Sequence, residues 1–306
     1  MDTQIKRAWR SAANIGCALV MLLLPFSPAR GDAVSDWNAI AARMAASSER
    51  SRAAQELAAV HAAMFEAMNF VEGKYVPHFL VKPPAPLGAS GEVEAIGAAH
   101  YVLAELYPEQ KAALDAALER SLAAFPDREA TSSARIWGKH LGGNVYALSA
   151  PDRPSNSANV PTAGNSKLSQ LRTSPGESGG ETWNSIATRS IEGRTLQPIE
   201  RARIYALISL AASKVYSAAD DAKVDYGSIV PCVSCAVGAA IRVILETEFG
   251  PTNERASGRA YLMPVRSDAD ESRSAKFRDG PDSVEAGEQM GREIGLHALT
   301  YYSRIK

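Results

Sequence analysis

Cys232 and Cys235 stand at Cys-x-x-Cys spacing directly after Pro231, where an apolar helical pattern begins. A thiol at a helix N-terminus ionises more readily, so this placement permits redox chemistry. The strand that precedes such a helix in a βαβ redox fold is missing, and a structural disulfide or two small buried side chains is the plainer reading. The five histidines are His61, His78, His100, His140 and His297. His61 and His100 fall on apolar helix faces and read as satisfied, half-buried rings. His78, His140 and His297 have no ligand spacing to one another, which argues against zinc. No serine sits in a nucleophile elbow, so no Ser-His-Asp triad is legible. Gly176 to Gly180 does not open a helix after a strand, so it is no phosphate loop.

The elements that must position these residues read as helices. Ala53, Leu57, Val60, Met64, Ala67 and Val71 recur at spacings of four and three, one apolar stripe of a helix from Glu49 to Glu72. A shorter helix, Asp36 to Ala46, precedes it, and Glu92 to Tyr107 follows. Pro108 suits the first turn of the next helix, which carries Leu114, Leu118 and Leu122. Pro126-Asp127 then starts a helix through Ile136, Leu141, Val145 and Leu148. From Ser149 to Thr182 the chain is crowded with Ser, Pro, Gly, Asn and Thr, and reads as a linker too polar to offset its ordering entropy. Helices resume at Trp183–Ile191, Pro198–Asp225 and Cys232–Phe249, the last ended by Gly250-Pro251. Ser283 is the expected cap of a final helix to Tyr302, with Glu285 near its positive end. No period-two alternation, βαβ pattern or internal repeat is legible. The expected fold is all-α, two helical bundles sharing a core. Its divisions are a signal peptide over 1–33, an N-terminal bundle over 34–148, a linker over 149–182 and a C-terminal bundle over 183–306.

Lys6, Arg7 and Arg10 precede an apolar run from Ile15 to Phe26, and small residues at Ala29 and Gly31 suit cleavage near Asp32 or Val34. The run is short of the roughly 18–20 residues a spanning helix needs. A periplasmic or secreted protein with no stable membrane span is therefore expected. In that compartment Cys232 and Cys235 can hold a disulfide. A formal net charge of -1, with no Lys/Arg-rich run, excludes a nucleic-acid partner.

Several segments resemble the vanadium-dependent haloperoxidase / type 2 phosphatidic acid phosphatase superfamily. Asp36-Trp37-Asn38, His61 through Asn69, and Tyr107-Pro108 to Phe125-Pro126-Asp127 are similar to its first bundle. Ala202 through Leu207 on to Asp221-Ala222-Lys223 resembles the helix delivering its first site motif. Ser283 through Gly287 and Met290 through Gly295 match the helix after its third. The resemblance implies a cage for a vanadate or phosphate oxyanion. Fixed cations and a helix N-terminus neutralise the anion, one histidine binds the metal or attacks phosphorus, and another moves protons.

Those positions are degenerate here. Lys223 is kept, but the Arg-Pro that should follow is missing, because Val224 to Ser228 runs almost directly into Pro231. The Pro-Ser-Gly-His motif reads Pro231-Cys232-Val233-Ser234, with Cys232 at the serine position and Ser234 at the histidine position. Ser272-Arg273 opens the third motif, and Asp279 occupies its histidine position. A carboxylate there repels an oxyanion by a few kcal/mol at intermediate dielectric. The resemblance thus implies a residual oxyanion site of Lys223, Arg273 and Cys232, with Ser234 and Asp279 as degenerate catalytic positions. Vanadate, the cofactor of the family, is expected to be lost or weakly held, which leaves no cofactor. A small oxyanion is the expected ligand. The expected function is that of an exported, catalytically impaired relative. The alternative is an active haloperoxidase-like or phosphatase-like enzyme using Lys223 and Arg273 with other partners.

Overall fold

The computed structural model describes residues 32–79, 88–125, 128–149, 182–225, 231–250 and 281–305. Residues 150–181 of the expected linker, residues 1–31 of the leader, Arg273 and Asp279 lie outside them, while Ala33 and Ser149 belong to helices and Thr182 caps one. Among the described residues the secondary structure is helical, apart from one isolated antiparallel bridge between Tyr75 and Arg304. Ala33–Lys306 makes a single compact unit.

The helices in chain order are α1 (Ala33–Ala45), α2 (Arg50–Glu72), α3 (Gly91–Leu106), α4 (Lys111–Leu122), α5 (Arg128–Ser149), α6 (Trp183–Ile191), α7 (Pro198–Asp225), α8 (Val233–Phe249) and α9 (Pro281–Ala298). Their ends follow local chemistry. Gly73 closes α2 in a left-handed conformation (φ 63°), donating its N–H to the Asn69 carbonyl at 2.7 Å. Pro108 opens a short 3₁₀ turn, Pro108–Gln110, that leads into α4. Thr182 caps α6 by accepting the Ser185 N–H at 3.2 Å. The final helix starts at Pro281, whose fixed φ suits a first helical position, so Ser283 lies inside the first turn and is not the cap.

The stripe expected on α2 understates its burial. Leu57, Val60, Met64 and Ala67 are buried, but so is every residue from Glu56 to Phe70. Helix α2 is a central strut covered on all sides, with α3, α5 and α7 packed along it. On α5, Leu141 and Val145 face the core as the pattern implied, while Ile136 and Leu148 are 56% and 66% exposed. Ala134 and the half-buried Trp137 take their place.

Small residues let two helix pairs approach backbone to backbone. A Cβ at Gly142 would stand 2.8 Å from the Ala98 carbonyl oxygen, and one at Gly138 would overlap the Glu94 carbonyl. A Cβ at Gly295 would stand 2.8 Å from the Ala240 carbonyl oxygen, and one at Gly291 would overlap that of Ala236. Contacts advance in the same direction along both partners, so α3–α5 and α8–α9 are parallel pairs. The contacted residues are the fourth and eighth of α3 and of α8, and the glycines are the eleventh and fifteenth of α5 and of α9. One packing device is therefore used twice in one register, although the sequence carries no legible repeat. Helices α2 and α7 join the two halves by lying against each other, and one continuous hydrophobic core runs through both.

This packing predicts a sign. Gly291→Ala gains about 1 kcal/mol of helix propensity but must displace the α8 backbone. The net expectation is a loss of about 1–3 kcal/mol in urea denaturation. Gly143→Ala, which meets only the Tyr101 ring at 3.4 Å, should change stability by under ~1 kcal/mol.

Candidate functional site

The start of α8 is held by three backbone-level contacts. Cys232 is its N-cap and accepts the Cys235 N–H on Sγ at 3.2 Å. Cys232 donates its own N–H to the Ser283 carbonyl of α9 at 3.0 Å. Gly287 of α9 sits so close that a Cβ would overlap the Cys232 carbonyl. Cys232 and Cys235 are joined as a disulfide, with Cα atoms 5.3 Å apart. The Ser234 hydroxyl lies 3.4 Å from the Cys232 sulfur and is open to solvent. The fold thus places the Cys232–Ser234 segment against the first turn of α9. Lys223 belongs to the last turn of α7, but its side chain, with Arg273 and Asp279, lies outside the described residues.

A helix N-terminus attracts an oxyanion through free amides. Here a sulfur occupies one of them, and Ser234 has a hydroxyl that does not titrate near neutral pH. No group of three or more metal-ligating side chains exists among the described residues. Thiol exchange is also disfavoured. The sulfur a helix N-terminus activates is that of Cys232, which is 4% exposed, while Cys235 is half-buried.

The histidines divide into three settings. His61 is fully buried, not half-buried as its apolar face suggested. Its Nδ1 is 2.6 Å from the Ser209 hydroxyl and its Nε2 is 3.0 Å from Asn38 Oδ1. Asn184 Nδ2 donates to the same Asn38 oxygen at 3.1 Å, and Asn38 Nδ2 donates to the Thr188 hydroxyl at 3.1 Å. Burial pushes His61 down to about 3, so the ring is neutral. His100 is half-buried and bonds Asp115 at 2.7 Å. Burial lowers its pKa, opposed by that carboxylate. His78 and His297 both meet the ring of Tyr301, at centroid distances of 4.3 and 5.1 Å. Sequence reasoning missed this pairing because 219 positions separate the two rings.

Two buried carboxyls with unpartnered oxygens were also missed, since a Glu on a helix reads as surface. Glu66 Oε1 accepts the backbone N–H groups of His78 at 2.7 Å and Phe79 at 3.0 Å, pinning the segment after α2. Its other oxygen is buried without a partner, and burial pushes the group up to about 6 against the pull of those N–H donors. Glu94 is buried at the α3–α5 contact with both carboxylate oxygens unpartnered, and burial pushes it up to about 8. Glu66 lines a cavity of about 30 Å³ with Asn69, Tyr75 and Ile305.

Two outcomes follow from this geometry. Glu94 binds its proton more tightly folded than unfolded, so stability is greatest below its unfolded pKa near 4.5 and falls as pH rises toward 8. Glu94→Gln should flatten that decline in denaturation curves taken from pH 5 to 8, by a difference of roughly 1–3 kcal/mol at pH 7.5. A curve for the variant as steep as the parent's refutes the assignment. The buried Cys232 should leave the disulfide unable to turn over, so insulin reduction with a thiol donor should match the no-protein control. Turnover abolished by Cys232→Ser contradicts that.

No protein-family model matches the chain, and no curated protein sequence matches it. Among solved structures, a crystal structure described as the first bacterial vanadium-dependent iodoperoxidase is similar over 90% of this chain and 96% of its own. The TM-score is 0.54 and the identity 14%. The likeness is one of fold, over nearly the whole chain, and agrees with the helical architecture described above. This chain has the all-α fold of a vanadium haloperoxidase.

Proposed function

We propose that the protein is an exported, catalytically silent relative of the vanadium haloperoxidases and type 2 phosphatidic acid phosphatases, with a residual anion site in place of a working one. The observation that carries this reading is the start of α8. Where the related motif has its proton-handling histidine this chain has the exposed Ser234, and where that motif has its serine the Cys232 sulfur caps the helix within a disulfide. General acid–base help alone is typically worth 10²–10⁴ in rate, and Ser234 supplies none near neutral pH. Asp279 at the other histidine position removes the axial ligand or nucleophile as well. Lys223 and Arg273 remain as cations able to hold a small oxyanion weakly. Export is supported by the short apolar leader, and no described helix is long and apolar enough to cross a membrane.

The test supplies vanadate, peroxide and iodide or bromide to the purified protein and follows halogenation of a dye. The rate should equal that without protein, and hydrolysis of a phosphate monoester should be negligible. Turnover well above background that disappears in Lys223→Ala or Arg273→Ala overturns the reading. Intact mass of protein recovered from its native host should show a chain starting near Asp32 or Val34, whereas a full-length cytosolic chain contradicts export.

A further inference from the structure

The chain leaves α2 at Gly73 and then pairs with its own C-terminal end. The Val76 N–H donates to the Ser303 carbonyl at 2.9 Å, and the Ile305 N–H donates to the Lys74 carbonyl at 3.0 Å. Between them lies the Tyr75–Arg304 bridge. The Arg203 Nε–H of α7 donates to the Tyr302 carbonyl at 2.7 Å and holds the tail to the body. Residues 73–79 and 301–305 thus form a clasp, with Tyr75 and Tyr302 as its buried side chains.

One carboxyl joins α2 to this clasp. Glu66 Oε1 accepts the N–H groups of His78 at 2.7 Å and Phe79 at 3.0 Å. Glu66 also lines the cavity of about 30 Å³, whose other walls are Asn69 and Phe70 of α2 and Gly73, Tyr75, Pro77 and Ile305 of the clasp. Glu66 is 1% exposed, and its Oε2 has no hydrogen-bond partner. The Asn69 amide beside it is committed to the Tyr75 backbone, at 2.8 and 2.9 Å. Four of the residues around the cavity therefore belong to the clasp, and moving the clasp aside admits water to the carboxyl.

Among the described residues no cationic side chain bonds Glu66. On the clasp, Lys74 pairs with Glu72 at 2.7 Å and Arg304 with Glu200 at 2.9 Å. On α7, Arg203 pairs with Glu248 at 2.7 Å. The His78 ring lies against that of Tyr301 at 4.3 Å, and burial, then Lys214 and His297, lower its pKa. The Tyr302 phenol is pushed well above its usual range by burial and then by Glu66, so it stays neutral.

We propose that Glu66 is a proton-sensitive catch for the clasp: protonated, it lets residues 73–79 and 301–305 close on α2, and ionised, it favours their opening. A buried carboxylate with one oxygen unpartnered and no counter-charge is better hydrated once the wall of its cavity moves aside. The protonated acid has much less to recover. Burial, opposed by the two backbone donors, pushes Glu66 up from 4.5 to about 6, in agreement with this. A group whose pKa is raised in the closed state holds the clasp fully below 4.5, and that hold is lost as pH rises through 6. Glu94 is also raised, but it lies at the α3–α5 contact and has no bond to the clasp. The start of α8 plays no part, so the proposal is independent of the anion reading and of the vanadate assay.

The test is amide hydrogen exchange of the intact protein by NMR between about pH 5 and 7.5, corrected for the intrinsic rate at each pH. The Val76 and Ile305 N–H groups report on the clasp without bonding Glu66. Their protection should fall by about five- to tenfold across that range. The Ala123 N–H, bonded to the Glu119 carbonyl at the end of α4, should stay within about twofold. Glu66→Gln keeps an accepting oxygen for His78 and Phe79 but cannot ionise, and should make the Val76 and Ile305 profiles flat. Glu94→Gln should leave them as steep as in the parent. Flat protection in the parent overturns the proposal. So does a fall that survives Glu66→Gln, one that Glu94→Gln abolishes, or one that Ala123 shares. Should Glu66→Gln fail to fold, the Glu66 ¹³Cδ titration in the parent decides: a midpoint near 6 supports the catch, and one near 4.5 overturns it.

Discussion

A single methyl group at Gly138 or Gly291 would collide with the carbonyl of Glu94 or Ala236, and most of the architecture depends on that closeness. Helices that touch backbone to backbone fix their rotation and register far more narrowly than side chains interdigitating across a wider gap. Setting α5 on α3 leaves α2 room to run beneath both, and setting α9 on α8 does the same for α7. The two central helices then lie against each other and carry the core from one half into the other. The start of α8 inherits its position from this contact, since Gly287 and the Ser283 carbonyl both lie on Cys232.

Polar groups buried between the halves add specificity. His61, Asn38, Ser209, Thr188 and Asn184 tie α1, α2, α6 and α7 through hydrogen bonds of 2.6–3.1 Å. The Ser209 hydroxyl donates to the Tyr205 carbonyl at 2.7 Å, which ties the network to the α7 backbone. Such a network tolerates few alternative registers, because each lost partner strands a buried polar atom at about 1–3 kcal/mol. Glu94 is the opposite case: a carboxyl buried with no partner, kept neutral by its surroundings at a cost to stability as pH rises.

At the start of α8 a disulfide sulfur caps the helix and an exposed serine hydroxyl lies beside it. The glycine contacts and the buried hydrogen-bond network that build this scaffold are formed by the protein's own residues.

The sequence by itself determined the helices, since periodicity, proline and glycine are local signals. Eight of the expected starts fall within three residues of those in the structure, and the last differs only in that Pro281 displaces Ser283 from the cap. The placing of Ser234 and Asp279 at histidine positions is what the resemblance of the sequence implies, and only their residue types are read from the sequence directly. Only the tertiary structure decided which faces were buried. The α2 stripe could not reveal that α2 is enclosed, and the apolar Ile136 and Leu148 could not reveal that they face outward, because burial depends on what packs against a helix. The paired use of glycines in α5 and α9 was illegible, since the contacted residues, Glu94 and Ala98 against Ala236 and Ala240, share no type at the first position. The meeting of His78 with His297 was illegible for the same reason in stronger form. Proximity between residues far apart in the chain is created by packing, and no local pattern encodes it.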